Sequence, residues 1–180
     1  MIEIRIHGRG GQGVVVASKL LSLALFEKGA WVQSFPTFGA ERRGAPVAAF
    51  VRMDDSPITI RCSILEPDII LLLDSALLKE ADPLAGLKPG GKVVVNALNP
   101  PELKGDVSCH WVDAGRIASR LGLGTANHPV VNTTMIGAFA KATGLIEMDH
   151  VRVAFERMLG EDSRKNIEAA LYAYRKVEAC

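Results

Sequence analysis

The order of patterns in the first 36 residues restricts this chain to one class of fold. Residues 2–6, IEIRI, alternate apolar and charged side chains, which predicts a strand. A glycine-rich loop, HGRGGQG, follows at 7–13, and apolar residues at helical spacing then continue to Gly29. Residues 30–35 predict a second strand. A strand, a glycine turn, a helix and another strand form a β-α-β unit, which is the building block of a parallel α/β sheet.

The rest of the chain extends this unit into a larger sheet and then into helices. Two neighbouring segments joined by the turn-like DDSP at 54–57 predict an inserted antiparallel hairpin. The segments that predict strands are 47–53, 58–63, 68–73, 90–97 and 108–114. Those that predict helices are a short segment capped by Asp113, 130–144, 148–160 and 163–179. We therefore expect one α/β domain over residues 1–180: a Rossmann-like, mostly parallel sheet with helices on both faces, an inserted antiparallel hairpin and a helical C-terminal segment.

Charge and cysteine content argue against several functional classes. The 21 Lys and Arg residues are spread among 20 Asp and Glu residues, so no basic surface for nucleic acid is indicated. Cys62, Cys109 and Cys180 lie far apart, which leaves no local ligand set for a metal cluster, and their odd number argues against a secreted disulfide framework. The longest apolar run, 68–78, contains Asp74 and is too short to span a membrane. We expect a cytoplasmic protein that binds neither metal nor membrane.

The glycine loop has the spacing of a dinucleotide-binding loop. Gly8, Gly10 and Gly13 match G-x-G-x-x-G, in which backbone N–H groups and a helix N-terminus hold a pyrophosphate. NAD enzymes also place an acidic residue at the end of the second strand, but no Asp or Glu occurs between Glu27 and Glu41. A stand-alone NAD(P)- or flavin-binding oxidoreductase is therefore the alternative hypothesis. A third hypothesis is a scaffold whose glycine turn binds nothing.

Residues 38–47, FGAERRGAPV, form a second stretch of interest. Glu41, Arg42 and Arg43 lie between two glycines, the second of which is Gly44. In a β-α-β unit this loop leaves the same edge of the sheet as the glycine loop, so the two loops should be neighbours. Paired arginines suit the recognition of an anion, and the glutamate can orient one of them. The alternative is a solvated, charged surface loop.

These two loops together resemble a known family. HGRGGQGVVVAS at 7–18, followed by FPTFGAERRGAPV at 35–47, resembles the gamma subunit of the 2-oxoacid:ferredoxin oxidoreductases, particularly the pyruvate branch. The stretch 68–78 resembles the family's central strand, and Asn132 with Gly137 resembles its late helix. The resemblance covers nearly the whole chain in order.

The resemblance implies a non-catalytic subunit of a larger enzyme. It implies alpha, beta and delta partner subunits, with thiamine diphosphate and Mg²⁺ held between alpha and beta and [4Fe-4S] clusters in delta. The assembled complex would decarboxylate pyruvate or an aryl or branched 2-oxoacid oxidatively, form an acyl-coenzyme A, and pass electrons to ferredoxin or a similar acceptor. This chain would be structural and would lie near the place where coenzyme A enters. It lacks the G-D-G motif that thiamine enzymes use.

The candidate contacts with coenzyme A or with a partner subunit lie on the two loops and the late helix. They are Gly10, Gly11, Gln12, Gly13, Glu41, Arg42, Arg43, Gly44 and Asn132. The other roles that remain open are tight turn packing for the glycines, a polar contact to a neighbouring subunit for Gln12, surface ion pairs for the arginines and a helix N-cap for Asn132. No residue is predicted to be catalytic or to bind a metal.

Overall fold

The computed structural model describes residues 1–37, 43–125 and 127–180. Its strands are β1 (Ile2–Arg9), β2 (Trp31–Pro36), β3 (Pro46–Asp54), β4 (Ile69–Leu72), β5 (Gly91–Asn96), β6 (Val107–Val112), β7 (Gly124–Thr125), β8 (His128–Pro129) and β9 (Glu178–Ala179). Its helices are α1 (Val14–Glu27), α2 (Leu77–Glu80), α3 (Ala114–Arg120), α4 (Val131–Thr143), α5 (Met148–Leu159) and α6 (Ser163–Lys176), with a 3₁₀ turn at Gly160–Asp162. None of the described helices combines the length and the apolar character needed to cross a bilayer.

Seven of the strands form one mixed sheet with a parallel centre. Their order is β2-β3-β1-β4-β5-β6-β9, and β7 pairs with β8 in a separate hairpin. Neighbouring strands are parallel from β1 through β4 and β5 to β6. β3 is antiparallel to both β1 and β2, and β9 is antiparallel to β6. The predicted α/β class is confirmed, and the antiparallel insertion is confirmed as the pair β2–β3.

One detail of the predicted hairpin is wrong. Residues 58–63, predicted as its second strand, form no strand. The reason is that both edges of β3 are already occupied, since Val51 pairs with Ile4 on one side and with Ser34 on the other. The segment leaves the sheet instead, with Ile60 exposed. The antiparallel partner of β3 is therefore β2, which precedes it in the chain.

The central strands are buried on both faces, but the two faces are covered differently. Alternate side chains of a strand point to opposite sides. On one side, which we call the helix face, Leu71 and Val94 belong to the core that packs against α1 and α3–α6. On the other, the loop face, Leu72 and Val95 pack with leucines of α2 and of the following loops. The predicted helices on both faces are present, but very unequal in size.

Two buried arginines on β1 and β3 extend from the loop face. The Arg5 guanidinium donates to the carbonyl oxygens of Leu65 at 3.4 Å, Pro83 at 2.9 Å and Ala85 at 2.6 Å. Burial lowers the pKa of Arg5, although the nearby Asp82 carboxylate opposes this effect. Arg5 thus attaches the covering loops to the sheet.

Arg52 attaches strands rather than loops. Its side chain is 1% exposed. The guanidinium donates to Glu3 Oε1 at 2.8 Å and to Gln33 Oε1 at 3.1 Å, and it lies 5.6 Å from the ring centre of Phe35. Glu3 is on β1 and Gln33 on β2, so one side chain connects the three strands on this side of the sheet.

Helix α4 approaches α6 closely and thereby sets the position of the candidate site. A Cβ atom on Gly137 would collide with the backbone carbonyl of Ala170, so only glycine fits this contact. Met135 and Phe139, predicted as core residues, are fully buried beside it. This packing places the N-terminal end of α4, beginning at Val131, at the carboxyl edge of the parallel strands.

Candidate functional site

A cleft of about 480 Å³ opens at the carboxyl ends of β1, β4 and β5. It lies beside β1, where the chain order of the strands changes direction, which is where open α/β sheets bind ligands. Glu41 and Arg42 lie outside the described residues. All the other predicted site residues line this one cleft: Gly10, Gly11, Gln12, Gly13, Arg43, Gly44 and Asn132.

The glycine turn needs glycine for geometric reasons. Gly11 has φ of 96° and Gly13 has φ of 75°, a left-handed conformation that other residues rarely adopt. A Cβ atom on Gly13 would also collide with the side-chain amide of Asn132. The turn and the N-terminus of α4 therefore approach each other more closely than any side chain at position 13 would permit.

The side chain of Gln12 stabilises the glycine turn through two hydrogen bonds. Its Oε1 accepts the backbone N–H of Arg9 at 2.7 Å, and its Nε2 donates to Asp74 Oδ2 at 3.3 Å. Both polar atoms of the amide therefore bond inside the chain. These bonds to Arg9 and to Asp74, which follows β4, stabilise the turn within the chain.

Arg9 neutralises the acidic groups beside the turn. Its Nε lies 2.7 Å from Asp74 Oδ2, and its second terminal nitrogen lies 2.8 Å from Glu80 Oε2. The hydrogen bonds to Glu80 and Asp74 raise the pKa of Arg9. Because these carboxylates are engaged, they oppose an anion in the cleft less than free carboxylates would.

The two candidate loops are neighbours, as the sequence predicted. The Gly10 N–H donates to the carbonyl of Ala45 at 2.9 Å, and the Gly44 N–H donates to the carbonyl of Gly10 at 3.0 Å. This exchange places Arg43 next to Gly11 on the wall of the cleft. Within the described residues, Arg43 forms no ion pair.

Two helices point their N-termini at the cleft. α1 begins after Gly13 and α4 after Val130, and neither cap residue supplies a side-chain hydrogen bond. Helix N-termini carry unpaired N–H groups and a partial positive charge. Their convergence beside Arg43 makes the cleft favourable for an anion such as a phosphate group.

Asn132 connects these two helices rather than capping α4. It lies inside the first turn, where its Nδ2 donates to the carbonyl of Gly13 at 3.3 Å and its Oδ1 accepts the N–H of Thr133 at 2.8 Å. Val130 occupies the N-cap position instead. The side chain is buried, so it holds the shape of the cleft more than it offers a surface.

Several residues of the cleft escaped the sequence analysis. Arg9 and Asp74 form the internal ion pair, and Asn96 joins β4 to α3 by donating to the carbonyl of Leu73 and accepting the N–H of Ala114, both at 3.0 Å. The hairpin β7–β8, which places His128 at the rim, was also not predicted. The turn-forming composition of GLGTANHP was the only signal for this hairpin. Nothing local indicated the ion pair.

The strand order also bears on the dinucleotide hypothesis. In dinucleotide-binding units, the second strand lies next to the first and its terminal acid reaches the ribose. Here β3 lies between β1 and β2, so β2 is about 10 Å from β1, twice the usual strand spacing.

Among the described residues, no group of three or more His, Cys, Asp or Glu side chains could hold a metal ion.

Comparison with known proteins identifies the family. The model of the pyruvate ferredoxin/flavodoxin oxidoreductase family matches residues 3–176. This chain belongs to that family. Pyruvate synthase subunit PorC of Methanothermobacter thermautotrophicus is 48% identical over 179 residues, which cover 99% of this chain and 97% of the relative. The common gamma subunit of the pyruvate/ketoisovalerate oxidoreductases of Thermococcus litoralis is 47% identical over 184 residues, covering 98% of this chain and 97% of that subunit.

A solved structure agrees with these relatives. The crystal structure of a pyruvate oxidoreductase subunit from Thermotoga maritima matches with a TM-score of 0.84 and 31% identity, covering 99% of this chain and 97% of that one. The predicted resemblance is therefore confirmed: the chain is a gamma-type subunit of a 2-oxoacid:ferredoxin oxidoreductase. A stand-alone NAD(P)- or flavin-dependent oxidoreductase is not favoured.

Proposed function

We propose that the cleft receives the phosphate groups of coenzyme A when the oxidoreductase is assembled. The observation that supports this proposal is that Arg43 and two helix N-termini, whose cap residues supply no side-chain hydrogen bond, converge on one cleft. Coenzyme A is the polyanionic substrate that the family resemblance implies. A guanidinium binds phosphate oxygens through two parallel N–H donors, and the glycine turn adds backbone N–H groups without side chains in the way.

The proposal assigns this chain a positioning role. Arg43 and the turn at Gly10–Gly13 would hold the phosphates, while Asn132 and Gln12 would keep the turn in the required shape. No side chain of this chain is assigned a proton transfer or a covalent step. The rate of the reaction would depend on the chain through the orientation of coenzyme A.

The partners and cofactors of the complex complete the proposal. We infer alpha, beta and delta partner subunits in the cytoplasm, with ferredoxin or a similar acceptor, and we treat residues 1–180 as one gamma-type domain. Thiamine diphosphate with Mg²⁺ would supply the carbon nucleophile for decarboxylation, and [4Fe-4S] clusters would carry the electrons. We place both groups in the other subunits, as the family resemblance implies.

The test uses the complete complex with Arg43→Ala and Arg43→Lys. The alanine variant should raise the KM for coenzyme A about tenfold, which corresponds to roughly 1.4 kcal/mol, while the KM for the 2-oxoacid stays unchanged. Lysine should restore part of the loss because it keeps the charge but not the two parallel donors. Arg61→Ala, at an exposed position away from the cleft, is the matched control.

Dephospho-coenzyme A identifies which phosphate is held. If Arg43 contacts the 3′-phosphate, the alanine variant should no longer distinguish coenzyme A from the dephospho form, and if it contacts the diphosphate, the variant should lose affinity for both. An unchanged coenzyme A dependence in the intact complex would contradict the contact. Purification of the tagged chain as a lone monomer with bound NAD(P) or flavin would contradict the assembly itself.

A further inference from the structure

Two cysteines that are far apart in the sequence form a covalent link. Cys109, on β6, and Cys180 are joined by a disulfide across a sequence separation of 71. Their spacing gave no indication of this pairing. The third cysteine, Cys62, is exposed and outside the link.

The link holds a short strand onto the edge of the sheet. β9 pairs with β6 at only two positions, His110 with Ala179 and Trp111 with Glu178. One further backbone bond of 3.1 Å joins the N–H of Cys180 to the carbonyl of Cys109. A two-residue strand has little intrinsic stability.

Side-chain packing adds little to this attachment. Residues 178–180 are all exposed, and within the segment 177–180 only Val177 packs against the core. The disulfide is therefore the strongest constraint that keeps β9 in place. Without it, the segment would be held by a few solvent-accessible hydrogen bonds, a condition in which local opening is easy.

We propose that Cys109 and Cys180 are a thiol–disulfide switch that determines whether β9 covers the edge of β6. The oxidised form locks the segment 177–180 onto the sheet. The reduced form releases it and leaves the backbone groups of that edge without strand partners. An uncovered edge strand can pair with a strand of another chain, so the two forms present different surfaces.

The reductant that the switch requires is a dithiol. A thiolate of the dithiol attacks the sulfur of Cys180, which is an exposed residue, the S–S bond breaks, and Cys109 leaves as a thiolate that takes up a proton. The second thiol of the reductant then attacks the mixed disulfide and releases Cys180 as a thiolate, which is protonated in turn. The reductant ends as a disulfide, and two electrons have passed to the cysteine pair.

The redox state is tested first on the full chain carrying Cys62→Ser, which removes the only other thiol. After oxidation with diamide and removal of the oxidant, a polyethylene-glycol maleimide should label no cysteine, and after reduction with dithiothreitol and removal of the reductant it should label two. Labelling of two thiols under both conditions would overturn the proposal, because the pair would then not form a disulfide under oxidising conditions.

The structural consequence is tested by hydrogen exchange of the same two samples. Peptides covering β6 should exchange about tenfold faster in the reduced form, whereas peptides covering β4, in the sheet centre, should not change. The Tm should fall by about 10 °C on reduction, because the link closes a long loop. The double variant Cys109→Ser/Cys180→Ser should match the reduced form. Equal exchange of β6 in the oxidised and reduced samples would overturn the switch, since β9 would then remain in place without the bond.

Discussion

The helix face and the loop face of the same sheet are closed in different ways. On the helix face, α1 and α3–α6 cover the strands with a continuous apolar core. On the loop face, a much smaller apolar cluster is supplemented by the buried guanidiniums of Arg5 and Arg52. Helices satisfy their own backbone groups, so apolar contact is enough to dock them. Loops bring unpaired carbonyl groups to the sheet, and these require a buried donor, which Arg5 supplies. Arg52 connects the strands β1, β2 and β3 on the same face.

The candidate site is built from both faces of the sheet. The cleft lies at the edge where the two faces meet, and it takes α1 and α4 from the helix face and Asp74, beside α2, from the loop face. Its glycine turn is positioned by the well-packed helices, whereas Arg9 reaches toward the loop side to bind Asp74 and Glu80. Substitutions on either face should therefore change the cleft, but they should lower the free energy of unfolding by different amounts.

The largest expected effect on stability comes from alanine variants of two adjacent leucines on β4. Leu71 points to the helix face and Leu72 to the loop face, and both are fully buried. Leu71→Ala should lower the free energy of unfolding by about 4 kcal/mol and Leu72→Ala by about 2.5 kcal/mol, because loops can relax into a cavity more readily than packed helices. Urea unfolding of both variants measures the difference. Equal losses would show that the loop face is packed as rigidly as the helix face.

The second effect concerns the polar attachment of the loop face. Arg5→Met should lower the free energy of unfolding by about 3 kcal/mol, because the carbonyls of Leu65, Pro83 and Ala85 lose their buried donor. Hydrogen exchange should rise in the loops that carry these carbonyls. Arg61→Met, at an exposed position, is the control and should change stability by less than about 0.5 kcal/mol. A fully stable Arg5→Met would mean that apolar contacts alone close this face.

The smallest expected effect is a dependence of stability on pH that arises from His7 on β1. Burial, with a further contribution from the Arg5 charge, lowers the pKa of His7 to about 4. Between pH 6.5 and about 4 the unfolded chain binds a proton at this position that the folded chain does not bind, so stability falls as the pH falls through this range. The loss should be about 2 kcal/mol after allowance for the partial exposure of the ring.

Variants isolate this contribution. His7→Gln should remove part of the stability loss between pH 7 and pH 4.5 in urea unfolding, whereas His128→Gln, at an exposed position, should leave it unchanged. An identical pH profile for His7→Gln and the wild type would show that the ring is protonated in the folded state as easily as in water.

Much of the candidate site was accessible from the sequence, but its internal contacts were not. The glycine turn and the loop with Arg43 were predicted as neighbours, because both follow strands that end at the same edge of the sheet. The roles of Gln12 and Asn132 were not predicted, because each includes a bond to a partner far away in the chain: Asp74 and Gly13, respectively. Hydrogen bonds across such separations leave no periodic signal in the sequence.

The sequence by itself determined the local elements and the family. Alternating, continuously apolar and helically spaced residues specify nearly every long strand and helix, since these patterns reflect which faces are buried. Only the tertiary structure decided that β3 enters between β1 and β2, that Arg5 and Arg52 close the loop face, and that Cys109 meets Cys180. The physical reason is that strand order and buried polar pairs depend on the competition among distant partners for the same edge or the same donor, and a local pattern contains no record of that competition.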